Sequence, residues 1–330
     1  LTELLFLSRG EVMESVTMAE AVDSCEEAYK ALSAGRAVAP VRVPVEVKKH
    51  NGVTLFMPCH LPGVDSTGVK VVSVYPGNVK RGLPTIAGLM VMVDATTGTP
   101  VAVMEAGYLT ALRTGAASGA ASRQLSRPDA RVAAILGAGA QGRTQLEATA
   151  AVRPIEEARI YDVFEESARA FAAEMAPRLG IDISVTQDPG ECVDGADIVC
   201  CATTSRTPVF PGDRLKPGVH VNGIGSFTPQ MQEVGEDTLL RCSLVVVDSM
   251  EAAMEEAGDL LIPIGRGSFR KEDIHGEIGQ IMLGKKHGRQ GPEEITFFKA
   301  VGVSVLDVAV GHLIYQKAID RGLGTPVRLQ

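Results

Sequence analysis

No stretch of this chain is apolar for long enough to cross a bilayer, because glycine and charge interrupt every hydrophobic run. Positive charge is in deficit: 32 lysines and arginines stand against 40 aspartates and glutamates, a formal net charge of −8. No basic block is flanked by aromatics, which argues against a nucleic-acid partner. Tryptophan is absent, without bearing on function. The six cysteines form no C-x-x-C pair, and no His/Cys/Asp/Glu cluster has metal-ligand spacing, so no metal is expected. No G-x-S-x-G elbow is present. Residues 1–14 show no basic-then-apolar leader pattern. The cysteines read as buried thiols of a reducing compartment, and the cytoplasm is the expected location.

What is present is an ordinary globular α/β composition. The chain has 330 residues, 45% of them hydrophobic, with 35 glycines and 18 prolines. That length predicts two domains. Its most informative segment is 131–142. A short apolar strand runs into Gly137, Gly139 and Gly142, and a helix starts at or just before Gly142. This is the dinucleotide fingerprint G-x-G-x-x-G in its strand–turn–helix setting. Gly137 permits the tight turn, Gly139 lets a pyrophosphate approach the backbone, and Gly142 lets helix and sheet sit close. The free N–H groups of the helix start then face the phosphates. Asp162 ends the next strand, close to the roughly 20-residue offset of an acid that binds a ribose 2′-hydroxyl. Its charge repels a 2′-phosphate, which favours NAD over NADP.

Around that motif, Thr17 and Glu20 make a capping box for a helix over 17–34. Strands are expected at 41–48, 52–58, 67–75, 86–94 and 100–105, with a hairpin turn from Asp94 to Pro100. An alanine-rich helix covers 108–125. Beyond it, short strands at 131–136, 158–162, 182–186, 197–201, 219–222, 243–247 and 295–300 alternate with helices at 142–151, 165–178, 188–194, 229–240 and 249–257. A helical stretch falls within 270–286. That alternation predicts a parallel sheet. A last helix, 304–320, is too apolar on one side to stand alone. The fold class is therefore α/β, a Rossmann nucleotide-binding domain plus a second α+β domain. The expected division is 1–118 with 305–330 against 119–304.

A dinucleotide site implies hydride transfer, and several residues suit an anionic substrate. Arg42 lies on a strand whose other face is valine. Lys70 interrupts an apolar strand and needs an anion if it is buried. Arg113 sits in a helix of small residues, where its fork suits a carboxylate. Glu46, Glu105 and Asp94 are candidate ion-pair partners. Thr203, Thr204 and Ser205 follow one parallel strand at its C-terminal end, and 222–226 follow the next, where such sheets hold ligands. Asp307, on the first turn of the last helix, either serves the helix dipole or orients a substrate amine. His60 is a candidate proton donor in a loop.

These residues resemble the ornithine cyclodeaminase/mu-crystallin family over nearly the whole chain. The resemblance rests on Phe56-Met57-Pro58, Gly68-Val69-Lys70, Leu112-Arg113-Thr114-Gly115-Ala116-Ala117-Ser118, Gly137-Ala138-Gly139-Ala140-Gln141, Asn222-Gly223-Ile224-Gly225 and Asp307. It implies a homodimer made through the sheet of a substrate-binding domain, with a separate nicotinamide-binding domain. It implies that Arg42, Lys70 and Arg113 hold the substrate carboxylate, with Lys70, Ser226 and Asp307 near the chemistry. The implied cofactor residues are Thr114, Gly137, Ala138, Gly139, Ala140, Gln141, Asp162, Thr203, Thr204, Gly225 and Ser226. Cyclodeaminases and alanine dehydrogenase-like members carry an aspartate where this chain has Ser226, and serine is a poorer base near neutral pH. The expectation is therefore NADH-dependent reduction of a ketimine or imino acid such as pyrroline-2-carboxylate, with Ser226 passing the proton through water. Ornithine cyclodeamination, open-chain amino-acid dehydrogenation and non-catalytic ligand binding are the alternatives.

Overall fold

The computed structural model describes residues 3–329. Its contacts divide the chain into two units, Leu1–Arg113 with Val303–Gln330, and Thr114–Gly302. The first unit opens with β1 (Glu3–Leu7), α1 (Arg9–Ser15) and α2 (Met18–Ser33). Sequence reading had not singled out the first two of these. At α2 the capping box is formed: Thr17 N and Oγ1 both donate to Glu20 Oε2, at 3.0 and 2.9 Å. Then β2 (Val43–Val47), β3 (Gly52–Leu61), β4 (Ser66–Val74), β5 (Ile86–Asp94) and β6 (Pro100–Glu105) pair in sequence as antiparallel neighbours. Asp94 Oδ1 closes the β5–β6 turn by accepting from the N–H groups of Thr96 and Thr97. Helix α3 (Ala106–Leu125) follows and runs past the division between the units.

The second unit alternates strand and helix: β7 (Val132–Leu136), α4 (Ala140–Val152), β8 (Glu157–Tyr161), α5 (Glu165–Leu179), β9 (Asp182–Val185), α6 (Pro189–Val193), β10 (Ile198–Cys201), β11 (His220–Gly223), α7 (Glu236–Leu239), β12 (Leu244–Val247), α8 (Met250–Glu256), α9 (Gly258–Arg266), β13 (Gly276–Glu277), α10 (Ile278–Met282) and β14 (Thr296–Lys299). The strands form one parallel sheet in the order β13-β12-β14-β11-β10-β7-β8-β9. Strands β10, β11, β12 and β14 are buried at every position, as expected of a sheet covered on both faces. The strand order reverses between β7 and β10, the place where doubly wound sheets open a crevice. Arg153 fixes the end of α3 by donating to the carbonyls of Ser122, Arg123 and Ser126.

The expectation of a helix over 229–240 fails: only Glu236–Leu239 is helical. The preceding residues spend their backbone groups elsewhere. Gln232 N donates to the Ser205 carbonyl, Val209 N donates to the Glu233 carbonyl, and the N–H groups of Glu233 and Val234 donate to Asp259. Tertiary bonds have replaced the i→i−4 ladder.

The chain completes the first unit with α11 (Ser304–Arg321) and β15 (Thr325–Arg328). That unit's sheet has the order β15-β1-β6-β5-β4-β3-β2. Its register puts Met57, Lys70, Met90 and Met104 side by side on one face. This face lies under α11, which packs on β3, β4 and β5 and against α2. Val43, Phe56, Val71 and Leu89 align on the opposite face. Among the described residues, no helix is long and apolar enough to cross a membrane.

Candidate active site

In the first unit, three predicted residues meet. Lys70 points from the middle of β4 to the covered face, where its ammonium donates to Asp307 Oδ1 at 2.7 Å. Arg113 Nε lies 3.0 Å from the same oxygen. All three side chains are buried, Lys70 and Asp307 almost completely. Burial, then the charge of Arg113, pull the Lys70 pKa down to about 7; Asp307 pulls the other way, and Arg42 adds to the lowering. Arg42 is half-buried just before β2, not within a strand. Asp307 Oδ2 is buried, and none of the described residues donates a hydrogen bond to it.

The expected ion-pair partners are not the ones used. Glu105 caps α3 by accepting from Gly107 N and Tyr108 N, Asp94 closes its hairpin, and Glu46 lies beside Lys48 at the exposed edge. Asp307 replaces them, 237 residues from Lys70 in sequence and brought there by α11. His60 lies on β3, not in a loop, and its Nδ1 pairs with Thr67 Oγ1 across to β4 at 2.9 Å. The strand register places it on the face of the sheet opposite Met57 and Lys70.

In the second unit, a cavity of about 400 Å³ opens at the C-terminal ends of β7, β8 and β10. Gly137, Ala138, Gly139, Asp162, Thr203 and Thr204 line it, with the exposed Val163 and Phe164 at its side. Thr114, Ala140, Gln141, Gly225 and Ser226 do not line it. Gly137 holds φ +107°, a conformation that favours glycine, and a Cβ there would strike the Ala202 carbonyl at 2.5 Å. Gly139 is the N-cap of α4 and has open space where a Cβ would go. Gly142 touches the turn itself: a Cβ would lie 2.0 Å from the Gly137 carbonyl. Asp162 Oδ2 accepts from Ala138 N at 2.8 Å, and its Oδ1 from Phe164 N at 2.9 Å. Each oxygen keeps a further lone pair. Arg143, which sequence reading missed, donates to the Ala138 and Gly139 carbonyls and brings positive charge to the glycine turn.

Ser226 is tied to the backbone and side chains around it. It is fully buried, its hydroxyl donates to the Met231 carbonyl at 2.9 Å, and its own carbonyl accepts from Lys299 Nζ at 2.6 Å. Sequence reading also missed Glu233, Asp259 and Lys299. Glu233 is fully buried and accepts from Thr203 N, Gly225 N and Ser226 N. Burial, then Asp259, push its pKa up to about 7 against the pull of Lys299 and of the hydrogen bonds from Thr203. Lys299 pairs with Asp259 Oδ2 at 2.8 Å. The one available signal was three charged residues in otherwise apolar or turn-like sequence. Among the described residues, no group of three or more potential ligands could hold a metal ion.

A glycine turn at a topological switch point thus stands in a chain whose other unit buries two cations around one aspartate. The sequence profile of the ornithine cyclodeaminase/mu-crystallin family matches residues 2–322. The chain belongs to this family. A Δ1-pyrroline-2-carboxylate reductase from Bacillus cereus is 41% identical over 97% of this chain and 98% of its own length. An alanine dehydrogenase from Archaeoglobus fulgidus is 37% identical over 99% and 98%. Among solved structures, the Thermococcus litoralis Δ1-pyrroline-2-carboxylate reductase in complex with NADH and L-proline superposes with a TM-score of 0.95. It shares 41% identity, over 98% of this chain and all of that one. An archaeal alanine dehydrogenase dimer with bound NAD gives a TM-score of 0.93 at 36% identity, with both chains fully covered.

Proposed function

We propose that this family member uses NADH to reduce the C=N bond of an imino acid, with Δ1-pyrroline-2-carboxylate as substrate and proline as product. The buried cation cluster is the observation that carries the reading. Lys70 and Arg113 share one carboxylate, that of Asp307, and Arg42 adds its field. Buried charge in excess of its partners is costly. A substrate carboxylate offsets that excess, and the Arg113 fork suits its two oxygens. The donor-free Oδ2 of Asp307 suits a substrate N–H or iminium. The names of the 41% identical Bacillus cereus relative and of the Thermococcus litoralis structure point to the same substrate class.

The cofactor residues fit a nicotinamide dinucleotide. The open side of Gly139 admits a pyrophosphate to the start of α4, whose first N–H groups are unpaired within the helix. Asp162 has lone pairs left for ribose hydroxyls and repels a 2′-phosphate. Val163 and Phe164 give an apolar flank for a base. Held by these residues, NADH would supply a hydride to the imine carbon, and the imine nitrogen would take up a proton. We assign proton delivery to Lys70, the group in the cluster that titrates near neutrality. Positioning of the carboxylate supplies much of the remaining acceleration. We assign the first unit to substrate binding and to a homodimer built on its sheet, and the second to the cofactor.

Following NADH absorbance with a substrate panel tests this. Pyrroline-2-carboxylate with NADH should react fastest, well ahead of NADPH with the same substrate. Faster turnover of pyruvate plus ammonia overturns it in favour of an alanine dehydrogenase, the activity named for the 37% identical relative. Rapid formation of proline and ammonia from ornithine overturns it in favour of a cyclodeaminase.

A further inference from the structure

Two backbone segments leave the second unit's sheet side by side, after β10 and after β11. They touch directly. A Cβ on Gly225 would lie 2.2 Å from the Thr203 carbonyl and 2.5 Å from Glu233 Oε1. Between them stands one carboxylate. Glu233 Oε1 accepts from Thr203 N at 2.5 Å, and Oε2 from Gly225 N and Ser226 N at 2.7 and 2.9 Å. Its own backbone is anchored in turn, since the N–H groups of Glu233 and Val234 donate to Asp259 Oδ1 at 2.6 and 3.0 Å. Asp259 Oδ2 pairs with Lys299, and Lys299 donates to the Ser226 carbonyl. The circuit closes from Glu233 through Ser226, Lys299 and Asp259 back to Glu233. Every member is buried.

We propose that Glu233 is a positioning residue: its carboxylate locks the loop after β10 to the loop after β11 and so sets the wall against which the nicotinamide dinucleotide binds. The proposal rests on the cofactor reading above. Thr203, Thr204 and Ser205 line the cavity, whereas Glu233 does not. The carboxylate therefore acts through the loop and not on the ligand. A buried ion network of three charges is a poor device for stability, because apolar residues of the same volume commonly serve as well. It is a good device for geometry, because one group with four lone-pair sites accepts from two segments at once.

Glu233→Gln separates the two roles. Glutamine keeps the size but offers one acceptor oxygen, so its NH2 group faces the N–H groups of one loop or the other. The dissociation constant for NADH, read by fluorescence titration of the full chain, should rise about tenfold, the worth of one charge-assisted bond. The melting temperature without ligand should stay within a few degrees, and the KM for the imino acid within about twofold. An unchanged NADH affinity in the folded variant overturns the proposal. So does a fall in melting temperature with affinity intact, which makes Glu233 merely structural. Should Glu233→Gln fail to fold, Glu233→Asp carries the test: it keeps the charge but is one methylene too short to span both loops, and the same tenfold loss is expected. Wild-type protein that binds no NADH overturns the cofactor reading itself, a result distinct from either variant's.

Discussion

Lys70 is a lysine in the middle of a sheet, among Met57, Met90 and Met104, and that setting gives it two opposite pH signatures. Its folded pKa of about 7 lies below the ordinary lysine value of 10.5. Between those values the unfolded chain holds a proton that the folded chain has released, so this group makes the fold more stable as pH rises through that window. Activity should run the other way. Reduction consumes a proton and needs a cationic carboxylate anchor, so kcat/KM for the imino acid should fall as pH rises through about 7. Lys70→Arg keeps the charge but does not titrate in this range. A pH–rate profile of that variant should lose the limb near 7 and show a lower kcat throughout. An unchanged limb in Lys70→Arg assigns the titration to another group and removes Lys70 from proton delivery. Asp307 sets a second expectation at this scale. Asp307→Asn leaves Lys70 and Arg113 facing each other without a buried counter-charge, and should cost about 3–5 kcal/mol in a denaturant titration.

The glycine turn between β7 and α4 separates ligand space from packing space within six residues. Gly139→Ala meets nothing within 4 Å, so its melting temperature should match the wild type, while the added methyl intrudes where a pyrophosphate approaches and NADH affinity should fall about tenfold. Gly142→Ala drives a Cβ to 2.0 Å from the Gly137 carbonyl, so the helix must retreat; overpacking of this kind costs about 1–3 kcal/mol, read as a lower denaturant midpoint. Equal effects of the two substitutions on melting temperature contradict these assignments. This turn was legible from sequence because each glycine answers a local demand of the strand–turn–helix. So was the α2 cap, where Thr17 and Glu20 stand three residues apart. The segment before α7 was not legible. Its composition reads as helix, yet its backbone N–H groups go to Ser205 and to Asp259, and no local pattern announces bonds to residues 25 or more positions away. The partner of Lys70 was illegible for the same reason: the need for a buried anion was readable, but Asp307 became that anion only through α11 folding back on the sheet.

At the scale of the whole molecule, the first unit's sheet has two unlike faces. One is covered by α2 and α11. The other carries Val43, Phe56 and Leu89 in register across β2, β3 and β5, all substantially exposed at 55, 38 and 45%. With Val71 of β4 between Phe56 and Leu89 they form a continuous apolar row across four strands, and such exposed rows mark an interface. Under the homodimer proposed above, a second copy of the chain is the occupant, because closed two-fold pairs bury the same patch on both subunits. Sedimentation or light scattering should therefore give twice the chain's 34.8 kDa. Leu89→Glu and Phe56→Glu place charge in the middle of the row, and each should shift the particle toward the monomer. The cavity at the glycine turn is lined by residues of the other unit, so NADH affinity of these variants should remain within about twofold. A dimer that persists unchanged in the Phe56→Glu/Leu89→Glu double variant excludes this face as the interface and leaves the exposed row without a partner of its own kind.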